Sequence, residues 1–138
     1  MSSATDTILD LIPQRPPFVF VDKLSESTDS RSVVQFTVPS DSPLSDSGHL
    51  TAAGLMEHIA QACAVHTGFR QVQNHQPVRI GYIGSVKKMT TRLFPDAGTV
   101  ITTEVVLLES VFDISLFQCT CHADGTEIAQ ATIKLALV

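Results

Sequence analysis

Two rhythms of apolar and polar positions run along the chain. From Thr51 to about Gln73 small or apolar residues, Ala52, Leu55, Ile59, Ala62, Cys63 and Val65 among them, fall almost all around a helical wheel. A helix that is apolar on nearly every side is buried on most of them. Asn74 and Pro77 close it. The other rhythm has period two. Val34, Phe36 and Val38 alternate with Gln35 and Thr37, which predicts a half-buried strand. Phe18 to Lys23 is apolar and β-prone. After the helix only strands follow: Val78–Met89, Thr99–Leu108, Phe112–Cys121 and Thr126–Leu137. Asp124-Gly125 between the last two suits a type I′ hairpin turn. In the last strand Ala129, Ala131, Ile133, Leu135 and Leu137 share a face. In the strand before it the apolar phase switches, from Phe112, Ile114 and Leu116 to Phe117, Cys119 and Cys121. A bulge, or burial of both faces at one end, would produce such a switch.

At the N-terminus Ala4–Ile12 reads as a short helix capped by Thr5 or Asp6, and Pro13, Pro16 and Pro17 stop it. Ser40–Gly48, rich in Ser, Asp and Pro, reads as a loop. The sum is a single α+β domain over residues 1–138, one long buried helix wrapped by a curved antiparallel sheet of five to six strands. The order, strands then helix then a long run of strands, resembles that of a hotdog fold. One such layer leaves sheet and helix edge uncovered, and isologous dimerisation would cover it.

Composition narrows the function. Apolar residues make up 43% of the chain and charged residues 17%, enough to build a core. The net charge of −5 argues against non-specific binding to nucleic acid. No apolar run is long enough for a membrane span. The polar start, Met1-Ser2-Ser3-Ala4, lacks the basic opening of a secretory signal, so a cytoplasmic location is expected. Three cysteines, Cys63, Cys119 and Cys121, make an odd count without zinc spacing, so neither a disulfide framework nor a metal is expected.

Candidate chemistry centres on Glu57. Its helical neighbours at i−4, i+3, i+4, i+7 and i+11 are Ala53, Ala60, Gln61, Ala64 and Gly68. One stripe thus carries a carboxylate, an amide and otherwise small residues, which let a thin ligand or another backbone approach. A carboxylate held there loses solvation, which suits general acid–base work; a half-exposed surface Glu is the alternative. Gln61 can orient Glu57 or cap a neighbouring strand. His49 follows Gly48 at the loop-to-helix junction. An imidazole there can act as a base, or be a solvated loop histidine. His58, His66, His75 and His122 read as surface or packing residues. Gly54, inside the helix start, costs about 1 kcal/mol against Ala, which implies a local reason: close packing, or contact with a ligand arm. Lys87, Lys88 and Arg92 form a basic cluster, with Arg70 a candidate fourth member. Edge-strand protection and docking of an acidic partner both fit it. There is no GxSxG nucleophile elbow and no Gly-rich phosphate loop.

Four segments resemble a known family. Pro13-Gln14-Arg15-Pro16-Pro17-Phe18-Val19-Phe20-Val21-Asp22 is similar to the opening P-H-R-x-P-F-x-x-V-D of the 3-hydroxyacyl-[acyl-carrier-protein] dehydratases. Glu57-His58-Ile59-Ala60-Gln61-Ala62 resembles their E-x-x-A-Q-A helix motif, and Phe94-Pro95-Asp96-Ala97-Gly98 their P-V-x-P-G turn. Asp124-Gly125 with Ala129 and Ala131 resembles their final hairpin. The likeness is strongest to the divergent branch found with aryl polyene and flexirubin-type pigment clusters. It implies a hotdog homodimer, or a larger assembly of dimers, that removes water from a 3-hydroxyacyl thioester to give the trans-2-enoyl thioester. A histidine takes the proton beside the thioester carbonyl, and a carboxylate from the partner subunit's helix helps the hydroxyl leave. By this resemblance Glu57 and His49 form the catalytic pair, and Gly54, Gln61 and Phe18 contact substrate. No metal or organic cofactor is implied. The substrate rides on the phosphopantetheine of an acyl carrier protein, which Lys87, Lys88 and Arg92 would receive. The chain departs from the pattern between its histidine and its carboxylate. G-H-F-P-x-x-P-x-x-P-G is replaced by the shorter Gly48-His49-Leu50-Thr51-Ala52-Ala53-Gly54, without the prolines, and Gln14 stands where the family has its first histidine. Two other readings of the same fold follow: an acyl thioesterase, in which Glu57 activates water, and a non-catalytic subunit that pairs with a second hotdog chain.

Overall fold

The computed structural model describes residues 8–138. Helix α1 covers Ile8–Leu11, and the part of the expected N-terminal helix before Ile8 lies outside the described residues. Strands β1 (Lys23–Ser27) and β2 (Arg31–Thr37) come next, then a small hairpin of β3 (Ser45–Asp46) and β4 (His49–Leu50). Helix α2 spans Ala52–Gln73. Strands β5 (Gly81–Thr91), β6 (Val100–Val111), β7 (Ile114–Ala123) and β8 (Thr126–Leu137) complete the chain. Six strands form one antiparallel sheet in the order β1-β2-β6-β7-β8-β5. This is the hotdog arrangement, with α2 in the hollow of the sheet.

The core lies between α2 and the concave face of the sheet. Leu55, Ile59, Ala62, Cys63 and Val65 from the helix meet Ile101, Val105, Phe117, Ile128 and Ile133 from the strands. Cys63, Cys119 and Cys121 are all free and buried, as small core residues should be. Burial pushes the Cys121 thiol up to about 12 and that of Cys63 well above its ordinary value, so neither is a ready nucleophile. Thr51 caps α2, its hydroxyl accepting from the Gly54 amide at 3.2 Å. Asp124 and Gly125 both take positive φ, 51° and 77°, and close the expected I′ hairpin.

Two expectations are corrected. Phe18–Asp22 is not part of a strand, since β1 begins at Lys23. The Phe20 amide and carbonyl are taken by side chains of α2 rather than by a ladder: the amide donates to Gln61 Oε1 at 2.7 Å and the carbonyl accepts from His58 Nδ1 at 2.7 Å. Phe112 is not in a strand either. It sits in the β6–β7 turn with φ 55°, and β7 starts two residues later. The sheet's order also leaves β5 at one edge, with one row of backbone groups unpaired among the described residues.

Candidate active site

Small residues on one stripe of α2 leave Glu57 half-buried at its first third, with Ala60 and Ala64 beside it on the open side. Gln61, one turn on, is fully buried and uses its whole amide. Its Nε2 donates to Glu57 Oε2 at 2.7 Å and to the Phe18 carbonyl at 2.9 Å, while its Oε1 accepts from the Phe20 amide. Gln61 therefore fixes the carboxylate, as expected of it, and the backbone it holds is the extended Phe18–Phe20 segment rather than a strand. Phe18 contributes its carbonyl to this network and leaves its ring half-exposed.

The neighbouring His58 turns into the core. It is completely buried, with Nδ1 donating to the Phe20 carbonyl. Nε2 of the neutral ring accepts from the Thr103 hydroxyl at 2.7 Å. Burial lowers its pKa to about 4, so the ring is neutral at physiological pH. His66 is built in similarly, with Nδ1 at 2.5 Å from Ser32 Oγ, and burial with the charge of Arg70 lowers it to about 4. Both histidines pack, as expected. The part His58 plays, anchoring the same segment as Gln61, was not visible in its spacing.

His49 lies on β4, directly after the Ser47-Gly48 turn, where both residues have positive φ, 52° and 84°. The turn's glycine is thus required, as the sequence suggested. The β3–β4 hairpin is pinned to the segment before β6: the Leu50 amide donates to Pro95 O at 2.9 Å, and the Ala97 amide to Gly48 O at 3.0 Å. The His49 ring packs 6.0 Å from that of Phe94. Among the described residues no hydrogen bond joins the His49 side chain to Glu57 or to any other side chain of the same chain. Gly54 is explained by packing. A Cβ there would run into the Leu50 side chain and come within 3.0 Å of the Leu44 carbonyl.

A cavity of about 220 Å³ opens further along the stripe that carries Glu57. Ala64 and Thr67 of α2 line it, with Leu11, Ile12, Ile80 and Leu135. Lys87 and Lys88 stand exposed on β5, where the register slips between Lys87 and Thr90 and Lys88 has φ 53°. Arg92 lies just past the strand, 3.9 Å from Glu127. Arg70 does not join them: it turns to the β1–β2 end, 3.3 Å from Ser27 Oγ and 3.6 Å from Asp29. No group of three or more metal-ligating side chains forms among the described residues, and none of their helices is long and apolar enough to cross a membrane.

The model of the ApeP-like dehydratases matches residues 6–137. The chain belongs to the ApeP-like dehydratase family. It is 26% identical over 136 residues to a 3-hydroxyacyl-[acyl-carrier-protein] dehydratase FabZ of Ruminiclostridium cellulolyticum, covering 94% of each chain. Among solved structures it is similar to the dehydratase heterocomplex ApeI:P of Xenorhabdus doucetiae, with TM-score 0.88, 20% identity, and 95% and 90% of the two chains covered. A hypothetical thioesterase of Streptococcus pneumoniae solved with coenzyme A shares the fold, with TM-score 0.67, 13% identity and 84% of each chain covered. The family thus agrees with the dehydratases read from the four motifs.

Proposed function

We propose that this dehydratase-family chain removes water from 3-hydroxyacyl thioesters carried by acyl carrier protein, in the cytoplasm, as a dimer. The observation that carries the reading is the 2.7 Å clamp of Gln61 on Glu57, which aims a carboxyl group along a stripe open to a ligand. In the reaction His49 takes a proton from C2 of the acyl chain. The electron pair left behind forms the C2–C3 double bond, and the C3–oxygen bond breaks. Glu57 assists the hydroxyl in leaving with a proton as water, and the two side chains exchange their protons with solvent before the next turnover. No cofactor is required by these steps.

Within one chain His49 and Glu57 are unconnected, so the pair is assembled across a two-fold boundary, with β5 the edge that meets its copy. The acyl tail then follows α2. A rise of about 1.5 Å per residue puts Ala64 and Thr67 about 10 and 15 Å from Glu57, which makes the cavity there the seat of the distal carbons. Lys87, Lys88 and Arg92, on and after the same edge strand, receive the acidic carrier.

One observation favours a second reading. The shortened connection from His49 to Glu57, together with the two-component complex named for a relative, fits a chain that pairs with a different hotdog subunit. The two are separated by incubating the purified protein with 3-hydroxyacyl-carrier protein and weighing the acyl group. Loss of one water by the chain alone supports the homodimeric enzyme. An intact acyl group, dehydrated only when a second hotdog chain is added, supports the mixed pair, and release of free acid would replace both with a thioesterase.

A further inference from the structure

The phase switch in β7 has no explanation within one chain. The bulge nearest to it lies in β6, at Leu108, between the pairs Leu107–Phe117 and Glu109–Leu116. It keeps Leu107 and Phe117 on the core side and leaves Ile114 and Leu116 on the outer face. That face is polar along most of β7, at Gln118, Thr120 and His122, and then becomes apolar. Register shows how far the apolar part extends. Val111 pairs with Ile114, Ile114 with Ala136, and Ala136 with Tyr82, so one row crosses four strands on the outer side. Val111, Ile114 and Tyr82 are 53%, 47% and 58% exposed. Phe112 beside them is 99% exposed, on a backbone with φ 55° that a bulky residue rarely adopts. A groove of about 290 Å³ runs between Glu109, Val111, Phe112, Ile114, Leu116 and Lys134. A contiguous apolar area on the solvent side of a sheet marks a contact surface.

We propose that this face packs against the same face of a second copy of the chain, sheet on sheet, so that edge-paired dimers associate in pairs. The charges around the groove select that occupant. Glu109 and Lys134 flank Leu116 in a single row, one on each neighbouring strand. A two-fold axis running along β7 lays Leu116 on its copy, Ile114 on its copy, and each Glu109 opposite a Lys134. Val111 then meets Ala136. The row is its own electrostatic complement, whereas an acidic carrier protein would meet Glu109 without gain. Two sheets brought together this way pack at about 10 Å, a spacing that the Leu116 and Ile114 side chains fill.

The test is the molar mass of the full chain by sedimentation equilibrium over a range of concentrations. Wild type is expected to reach twice the mass of the edge-paired dimer. Ile114→Glu should weaken that step tenfold or more, since like charges and unpaired polar groups at an interface cost several kcal/mol, and about 1.4 kcal/mol is tenfold. Its circular dichroism should not change, because Ile114 is exposed within the chain, and its thermal midpoint should fall only by as much as the lost association had raised it. Glu109→Lys and Lys134→Glu should each weaken the step, and the double reversal should restore it. A wild-type mass that stops at the dimer, or a larger assembly indifferent to Ile114→Glu, overturns the proposal. So does a double reversal that fails to restore what each single one removes.

Discussion

Glu57 and His58 are adjacent in sequence and lie on different faces of the same helix, about 100° apart. The polar groups around His58 are closed: both ring nitrogens have partners, Thr103 and Phe20 are used, and no solvent reaches them. The group around Glu57 is half-closed. One oxygen is held by Gln61, and the side chain still borders open space on the small-residue stripe. A polar cluster with every valence filled builds the fold, while one with a fixed orientation and a free valence is available for chemistry. Gln61 connects the two, because the Phe18–Phe20 segment it grips is also the segment His58 grips.

The comparison breaks most sharply under two substitutions. Glu57→Gln should lower the dehydration rate about 10²- to 10⁴-fold, the range for loss of a general acid–base group, with little change in thermal midpoint. His58→Leu should do the reverse. It leaves the Phe20 carbonyl without its partner, at about 1–3 kcal/mol, and reduces the Thr103 hydroxyl to its bond with Cys121 Sγ, and denaturant unfolding should show the loss in stability. If Glu57→Gln unfolds the chain, or His58→Leu leaves its stability unchanged, the division between the two sides is wrong.

Acid should act on the closed side. In the unfolded chain His58 and His66 take up protons near their ordinary 6.5, while in the folded chain both stay neutral down to about 4. The unfolded state therefore binds more protons in that window, and stability falls as pH drops from 6.5 toward 4. At about 1.4 kcal/mol per pH unit each histidine can account for about 3 kcal/mol, and His58→Leu should flatten the slope measured by urea unfolding at a series of pH values. A smaller effect is expected at the cavity. Ala64→Phe should cut kcat/KM for long acyl chains about tenfold and spare short ones, since overfilling a packed seat costs about 1–3 kcal/mol. Equal loss at every chain length would remove the tail from that cavity. Smallest of all, Lys87→Glu with Lys88→Glu should raise KM for the carrier-bound substrate several-fold, in a salt-dependent way, and leave kcat unchanged.

The sequence was most legible where one rhythm or one turn decides the backbone. The α2 helix follows from its apolar wheel and Thr51 cap, and the last hairpin from Asp124-Gly125, whose positive φ values the turn demands. Legibility failed where side chains replace a ladder. Phe18–Asp22 has the composition of a strand, but Gln61 and His58, about forty positions away in sequence, take its hydrogen bonds. No local pattern carries that information. At the site, helical spacing correctly paired Glu57 with Gln61, because i and i+4 meet on a helix. The same reasoning could not place His49, whose position depends on a hairpin pinned to Pro95 and Ala97. It also could not see that Arg70 belongs to Asp29 rather than to the basic cluster.

In the proposed enzyme His49 of one subunit works with Glu57 of another. Hybrid dimers test it directly. The two variants His49→Ala and Glu57→Gln, each inactive alone, are mixed, unfolded and refolded together, and assayed for dehydration of a 3-hydroxyacyl-carrier protein. In a mixed dimer one site carries both substitutions and the other carries neither. Random pairing makes about half the dimers mixed, so about a quarter of wild-type activity should return. A mixture that stays as inactive as its components, beside an active wild type, would contradict the shared site.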